Sequence, residues 1–335
     1  MMFKPAKAAA FLVIAALLSG CATSEYADDG RGSKPIPSKL LSMMSEKSMS
    51  PSAPVVVRIF KQESELEVWK KDRSGRFALL KTYPICRWSG KLGPKRKQGD
   101  RQAPEGFYHV NAGLLNPRSQ YYLAFNLGFP NKLERALGYS GSALMVHGAC
   151  SSSGCYALTD EGVEEIYPVV REALKGGQSA FQVQVFPFRM TPENMARHRD
   201  DGNFAFWSNL KTGYDIFEVT RQPPKVSMCG GRYVFDKEFV GGEPRDPLAA
   251  CPPAVSKVPE AVASKSEADR VAMQSLISSG LALNAPAYSD GGMHPAFRRL
   301  LQRDGEEALS RRTSRTSVPV SRPSAALADP HMAQE

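Results

Sequence analysis

A histidine and a cysteine eight positions apart are the residues of this sequence best suited to covalent catalysis. His147 ends the apolar stretch 143–147, and Cys155 follows a loop of small residues. Cysteine attacks as its thiolate, and its ordinary pKa of about 8.5 leaves only a small fraction ionised at neutral pH. A neighbouring imidazole favours the thiolate. The spacing is therefore compatible with nucleophilic catalysis by Cys155.

Two glycines frame the loop between these residues. Gly148 follows the histidine and Gly154 precedes the cysteine, so the backbone can turn tightly at both ends. We expect the N–H groups around Gly154 and Cys155 to face a developing oxyanion, and the Ser153 hydroxyl to help hold substrate or that oxyanion. We also expect Cys155 to stand immediately before a helix, whose N-terminus would favour the thiolate.

Three other interpretations of these residues remain open at this point. Cys150 and Cys155 could form a disulfide that closes a small loop. His147 could join both cysteines as three ligands of a zinc site, although no fourth ligand stands nearby in the sequence. Cys155 and His147 could also be buried structural residues. Residue types and spacing alone support these three interpretations about as well as the catalytic one.

The elements that position the loop come as strands first and helices later. Runs of β-branched and aromatic residues predict the strands 54–60, 66–71, 77–86, 107–110, 121–125, 143–147 and 182–186. Apolar residues at helical spacing predict a helix over Asp160–Lys175, capped by Thr159 or Asp160. Segments 191–199 and 204–213 also have helical character. This order predicts a mostly β, β-rich α+β fold with peripheral helices.

The N-terminus resembles a bacterial lipoprotein signal. Lys4 and Lys7 precede an apolar run that is shorter than the about 20 residues needed to span a bilayer. The run ends in small residues before Cys21, as in a lipobox, where the cysteine receives the lipid and becomes the mature N-terminus. Ala22, and not aspartate, follows this cysteine, which favours the outer membrane in the lipoprotein sorting pattern of enteric-type bacteria. We therefore expect a periplasmic protein that is anchored by its lipid to the outer membrane.

The distribution of aromatic residues predicts the domain organisation. Residues 54–253 hold 25 of the 30 aromatic residues, so the core must lie there. Around the proposed catalytic domain we expect four further segments: the signal peptide 1–20, a lipidated tether over 21–53, a cysteine-containing extension over 223–253 and a mostly disordered tail over 254–335. Cys229 and Cys251 flank that extension and could staple it, which leaves Cys86 and Cys150 as a residual pair.

Charge and hydropathy exclude two classes of protein. The mean hydropathy of −0.32 excludes a polytopic membrane protein. The net charge of +9 could indicate a nucleic-acid partner, but no binding module accompanies it, so we expect none. A basic loop over residues 91–101 is most simply a solvated surface loop, and the alternative is that it attracts the carboxylates of peptidoglycan stem peptides.

The segment 147–155 resembles the active-site motif of the L,D-transpeptidase catalytic (YkuD-type) family, in which His-Gly and a short loop precede Ser-x-Gly-Cys. Residues 103–108 are similar to the Thr-Pro-x-Gly-x-Phe/Tyr turn of that family. Residues 206–217 fit its YafK-type periplasmic murein branch. The resemblance covers about residues 54–222, which we take as the catalytic domain.

The resemblance implies an L,D-transpeptidase-like β-sandwich that acts on peptidoglycan without a metal or cofactor. It makes Cys155 the nucleophile and His147 the proton acceptor and donor, with the Gly148 carbonyl orienting the imidazole. Cys155 would attack the L-to-D amide after diaminopimelate in a stem peptide and release D-Ala. The thioester would then pass to an amine or to water.

Departures from the main family pattern leave the acyl acceptor open. Ser153 stands where many members carry a second histidine. The YafK-type branch is associated with cutting the link between murein and its outer-membrane lipoprotein. The alternatives to a transpeptidase are therefore a hydrolase that releases murein-bound lipoprotein and a non-catalytic murein-binding lipoprotein.

Overall fold

The computed structural model of the protein describes residues 29–284 and 291–316. The expected signal peptide, the lipidation site Cys21 and the end of the tail therefore lie outside the described residues. Within the described ranges, none of the helices combines the length and the apolar character needed to cross a membrane.

The part of the chain that the structure describes contains 14 strands and seven α-helices. The strands are β1 (Val55–Phe60), β2 (Glu65–Lys71), β3 (Phe77–Pro84), β4 (Arg87–Trp88), β5 (Gly106–Val110), β6 (Leu115–Asn116), β7 (Ala124–Asn126), β8 (Met145–His147), β9 (Tyr156–Ala157), β10 (Phe181–Phe186), β11 (Val226–Cys229), β12 (Arg232–Phe235), β13 (Lys237–Phe239) and β14 (Ala254–Ser256). The helices are α1 (Ser38–Glu46), α2 (Lys132–Ala136), α3 (Asp160–Lys175), α4 (Pro192–Arg197), α5 (Phe204–Thr220), α6 (Glu260–Ser278) and α7 (Pro295–Thr313).

Two five-stranded sheets organise the fold. The first has the order β3-β2-β1-β10-β5, with β1 parallel to β10 and the other pairs antiparallel. The second has the order β4-β9-β8-β7-β6, with β8 parallel to β9. The second sheet carries both His147, at the end of β8, and Cys155, just before β9.

Two inner strands of the first sheet, β1 and β10, are buried at every position, which explains why β1 is apolar except for Arg58. Val57 and Ile59 point into a core shared with α3 and the second sheet. Phe60 belongs to a second core, which Trp207 and Tyr214 of α5 cover from the other side. The site therefore lies on a sheet that is supported by the main core.

The expected β-rich α+β fold with peripheral helices is confirmed. α3 spans the expected residues, and the Thr159 side chain caps it by accepting the Gly162 N–H at 3.0 Å. α5 continues beyond the expected end at Gly213 to Thr220, because Tyr214 and Phe217 keep packing against the core. Among the described residues, helix exceeds strand, 34% against 22%, since several helices lie outside the predicted domain.

We expected a tether over 21–53 and a mostly disordered tail over 254–335, but the described residues of both segments contain helices that pack on the core. α1 lies in the tether segment and buries Leu40 and Met44 in the main core. α6 and α7 lie in the tail segment; α6 buries Val262 beside α5, and α7 buries Leu301 and Leu309. A few aliphatic side chains on otherwise polar helices anchor these segments, so a search for aromatic residues misses them.

Candidate active site

Strand pairing in the second sheet brings the sequence-predicted cysteine next to the strand of the histidine. Val146 of β8 pairs with Tyr156 of β9, so Cys155 lies beside Met145. The Met145 N–H donates to the Cys155 Sγ at 3.5 Å, and the thiol lies 3.6 Å from the Ala143 carbonyl oxygen. The thiol is half-buried and makes no disulfide.

The hydrogen bond of His147 determines which ring nitrogen carries its proton. Nδ1 lies 2.5 Å from the Gly148 carbonyl oxygen, and a carbonyl can only accept. Nδ1 is therefore protonated, and Nε2 retains the lone pair that can accept a proton. The ring is 3% exposed and lies against Tyr121, with the ring centroids 4.7 Å apart. Burial lowers the pKa of His147 to about 4, although the Gly148 carbonyl acts in the opposite direction.

The thiol is not a preformed thiolate. Burial raises the pKa of Cys155 above its ordinary value, while the Met145 N–H and the Lys95 ammonium act to lower it. The expectation of a helix immediately after Cys155 is wrong, because β9 intervenes and α3 begins only at Asp160. A neutral thiol therefore stands near a neutral imidazole, and the arrangement suits proton removal by a general base during attack.

Ser152 holds the backbone on both sides of the thiol, a role that the sequence interpretation did not assign. Its Oγ donates to the Cys155 carbonyl at 2.7 Å and accepts the Cys155 N–H at 3.1 Å and the Gly154 N–H at 3.3 Å. The N–H groups of Gly154 and Cys155, which we expected to face a developing oxyanion, therefore donate to Ser152 in this structure. Ser153, the predicted substrate contact, is exposed.

Replacing Ser152 with alanine is expected to lower the free energy of unfolding by about 1–3 kcal/mol, because buried backbone groups lose their partner. Ser153→Ala is the matched control, since its side chain is exposed; we expect it to change stability by less than about 0.5 kcal/mol. Denaturant unfolding of the two variants measures the difference. Equal losses in both would contradict the role given to Ser152.

Glycine is required at the two positions that frame the loop, for different reasons. Gly154 has φ of 125°, a conformation that residues with a side chain rarely adopt. At Gly148 the reason is space, since a Cβ there would overlap the Asp160 carboxylate and lie 3.0 Å from the Tyr121 carbonyl oxygen.

A fully buried ion pair fixes the loop that precedes the active-site segment, and sequence reasoning missed it. The Lys61 ammonium lies 3.0 Å from the Glu105 carboxylate, and both side chains are 0% exposed. Lys61 also donates to the carbonyl oxygens of Lys91 and Ala103 at 2.6 and 3.0 Å. The one available signal was a lysine placed directly after β1, a strand that is apolar except for Arg58.

This loop, residues 89–105, contacts the active-site segment at two points. Ser89 and Ser152 have their Oγ atoms 3.1 Å apart, and the Tyr156 hydroxyl donates to the Pro104 carbonyl oxygen at 2.7 Å. Lys95, expected to belong to an exposed basic patch, is instead buried and pairs with Asp100. Its ammonium therefore acts on the thiol from inside the structure.

The disulfides remove two competing interpretations of the cysteines. Cys86 and Cys150 are bonded, with their Cα atoms 5.2 Å apart. Cys150 is thus unavailable both for a bond to Cys155 and as a zinc ligand beside His147. Within residues 29–284 and 291–316, no three acidic, histidine or cysteine side chains are grouped to hold a metal ion. Cys229 and Cys251 form the second disulfide.

Comparison with known proteins identifies relatives with a stated activity. Residues 54–185 match the family model of the YkuD L,D-transpeptidase catalytic domain. The chain is 51% identical over 185 residues to YafK of Escherichia coli (strain K12), whose description as an L,D-transpeptidase is provisional. That match covers 55% of this chain and 75% of the relative.

Two solved proteins are similar at lower identity. The helical cell shape determining protein Pgp2 of Campylobacter jejuni is 19% identical, with 56% of this chain and 79% of that chain covered and a TM-score of 0.33. In a mutant of Pgp2 the match covers 57% of that chain. Bd1075 of Bdellovibrio bacteriovorus is 14% identical, with 53% and 78% covered and a TM-score of 0.30.

Proposed function

Because the chain belongs to the YkuD-type L,D-transpeptidase catalytic domain family, we propose that Cys155 performs acyl transfer on murein stem peptides. The family acts on such peptides, which identifies the substrate class. The observation that carries the cysteine mechanism is the Cys155 thiol, which makes no disulfide and lies just before β9. The neighbouring strand β8 ends in the buried His147 imidazole, whose Nε2 is unprotonated.

The proposed reaction begins when His147 Nε2 accepts the Cys155 thiol proton as the sulfur attacks the carbonyl carbon of the amide after diaminopimelate. The tetrahedral intermediate collapses as the carbon–nitrogen bond breaks, and the imidazolium returns the proton to the departing D-Ala amine. The products are a thioester on Cys155 and free D-Ala. The backbone N–H groups of Gly154 and Cys155 can stabilise the oxyanion only if they turn away from Ser152.

The second half-reaction sets the class of the enzyme. Attack on the thioester by the amine of another stem peptide gives a cross-link, and attack by water gives hydrolysis. When the nitrogen of the amide after diaminopimelate belongs to a murein-bound lipoprotein and not to D-Ala, the first step releases that lipoprotein as the departing amine. Water then hydrolyses the thioester and frees Cys155. We propose transfer to an amine as the main outcome and hydrolysis as the alternative, with the same thioester in both.

Digestion of purified murein sacculi, with and without bound lipoprotein, tests this function with the wild-type protein and Cys155→Ala. We expect the wild type to produce diaminopimelate–diaminopimelate bridges, while tripeptide stems, or released lipoprotein that carries no cross-link, would indicate the hydrolase. We expect Cys155→Ala to give neither product. Identical products from the wild type and Cys155→Ala would overturn the enzymatic proposal. If both proteins then co-sediment with the sacculi, a non-catalytic murein-binding protein is favoured.

A further inference from the structure

A single peptide unit connects His147 to a buried carboxylate. The carbonyl of the Gly148–Ala149 peptide accepts the His147 Nδ1–H at 2.5 Å. The N–H of the same peptide, which belongs to Ala149, donates to Asp160 Oδ1 at 2.7 Å. Histidine, peptide and carboxylate therefore form one continuous chain of hydrogen bonds.

Local structure brings the carboxylate to this peptide. Asp160 is the first residue of α3, where the positive end of the helix dipole favours an acidic side chain. Its side chain is 1% exposed, and the absence of a side chain at Gly148 leaves the space that Oδ1 occupies. Ala149 has φ of 60°, a left-handed conformation that is uncommon for a residue with a side chain.

The second oxygen of Asp160 is held from a distant part of the chain. The Arg315 N–H donates to Oδ2, and the Arg315 guanidinium lies 2.6 Å from Glu164 and 3.2 Å from the Tyr122 hydroxyl. Burial raises the pKa of Asp160, while the two N–H donors and the charges of Arg315 and Arg31 oppose that shift. Both carboxylate oxygens thus accept N–H groups.

We propose that Asp160 is a positioning residue that acts on His147 through the Gly148–Ala149 peptide. A negative charge at the peptide N–H draws electron density toward the carbonyl oxygen and makes it a stronger acceptor. The carbonyl then stabilises the imidazolium that forms when His147 takes the thiol proton, and it keeps Nδ1 protonated. The site thereby gains the effect of the acidic residue of a catalytic triad, although among the residues that the structure describes no carboxylate contacts the imidazole. The proposal rests on the proposed function only in treating His147 as the base for Cys155.

The rate at which iodoacetamide alkylates Cys155 in the full-length protein tests this role without any murein substrate. Asp160→Asn keeps an oxygen acceptor for the Ala149 N–H but removes the charge. We expect it to slow alkylation about tenfold, as loss of an orienting partner does, and to move the acid limb of the pH–rate profile to lower pH. The sign follows because a less stabilised imidazolium means a lower pKa for His147.

Glu164→Gln is the matched control, since Glu164 lies one turn along α3 and contacts Arg315 but not the loop. We expect its alkylation rate to stay within about twofold of wild type. Asp160→Ser, which also keeps an uncharged acceptor, makes the same test if the asparagine variant does not fold. An unchanged rate and acid limb in a folded Asp160 variant, or equal slowing by Glu164→Gln, would overturn the proposal. Failure of the sacculi digestion would leave this result unaffected, so the two proposals can fail separately.

Discussion

Replacement of His147 by glutamine is expected to slow both alkylation and turnover at Cys155 by about 10²- to 10⁴-fold, the range that a positioned general base contributes. Glutamine can still donate an N–H to the Gly148 carbonyl, but it has no group that accepts the thiol proton at neutral pH. His109→Gln, at an exposed position of β5, is the matched control and should keep the wild-type rate.

The pH dependence of the wild-type rate gives a second measurement of the same prediction. Since burial lowers the pKa of His147 to about 4, the imidazole remains a base at every pH above that value. The alkylation rate should therefore lose its base-assisted part near pH 4 and not near the ordinary histidine pKa of about 6.5. An acid limb near pH 6.5, or a His147→Gln protein that reacts as fast as wild type, would contradict the assignment.

Replacing Lys61 with methionine is expected to lower the free energy of unfolding by about 3–5 kcal/mol, the usual result of removing one member of a buried ion pair. The Glu105 carboxylate, 0% exposed, would keep its hydrogen bonds from Gly93 N–H and Trp207 Nε1–H but lose its cation. Burial lowers the pKa of Lys61, and the Glu105 carboxylate opposes that shift, so the charge of Lys61 depends on Glu105.

Denaturant unfolding measures this loss, with Lys91→Met as the matched control because Lys91 is exposed in the same loop. The double variant Lys61→Met/Glu105→Gln should recover part of the stability, since no uncompensated charge remains buried. A Lys61→Met protein within about 1 kcal/mol of wild type would show that the pair is dispensable.

Local patterns made the central residues of the site predictable. The spacing of His147, Gly148, Gly154 and Cys155 lies within nine residues, and α3 is bounded by a threonine cap and a glycine end. Features that depend on distant partners were not predictable. No sequence pattern indicates that Lys61 pairs with Glu105. An acidic residue such as Asp160 is common in the first turn of a helix, so its contact with the Ala149 N–H has no sequence signal.

The expected helix after Cys155 shows the same limit. Residues 156–157 form a strand because they pair with β8 on one side and with β4 on the other, and the pairing with the distant β4 leaves no local signature. The helical tail was missed for a related reason, since the burial of Leu301 and Leu309 depends on a surface that the rest of the fold provides.

The packing of α7 on the Cys86–Cys150 disulfide determines whether the catalytic domain can be transferred to another protein without its C-terminal segment. Met293, Leu301 and Leu309 bury both cysteines, and Gly292 exchanges backbone hydrogen bonds with Trp88 at 3.0 Å in both directions. The segment 54–185 that carries the family likeness thus depends on a covering supplied more than 100 residues later. An exchange of domains between relatives would have to transfer residues 291–316 together with the cysteine loop, because the two segments have one shared interior.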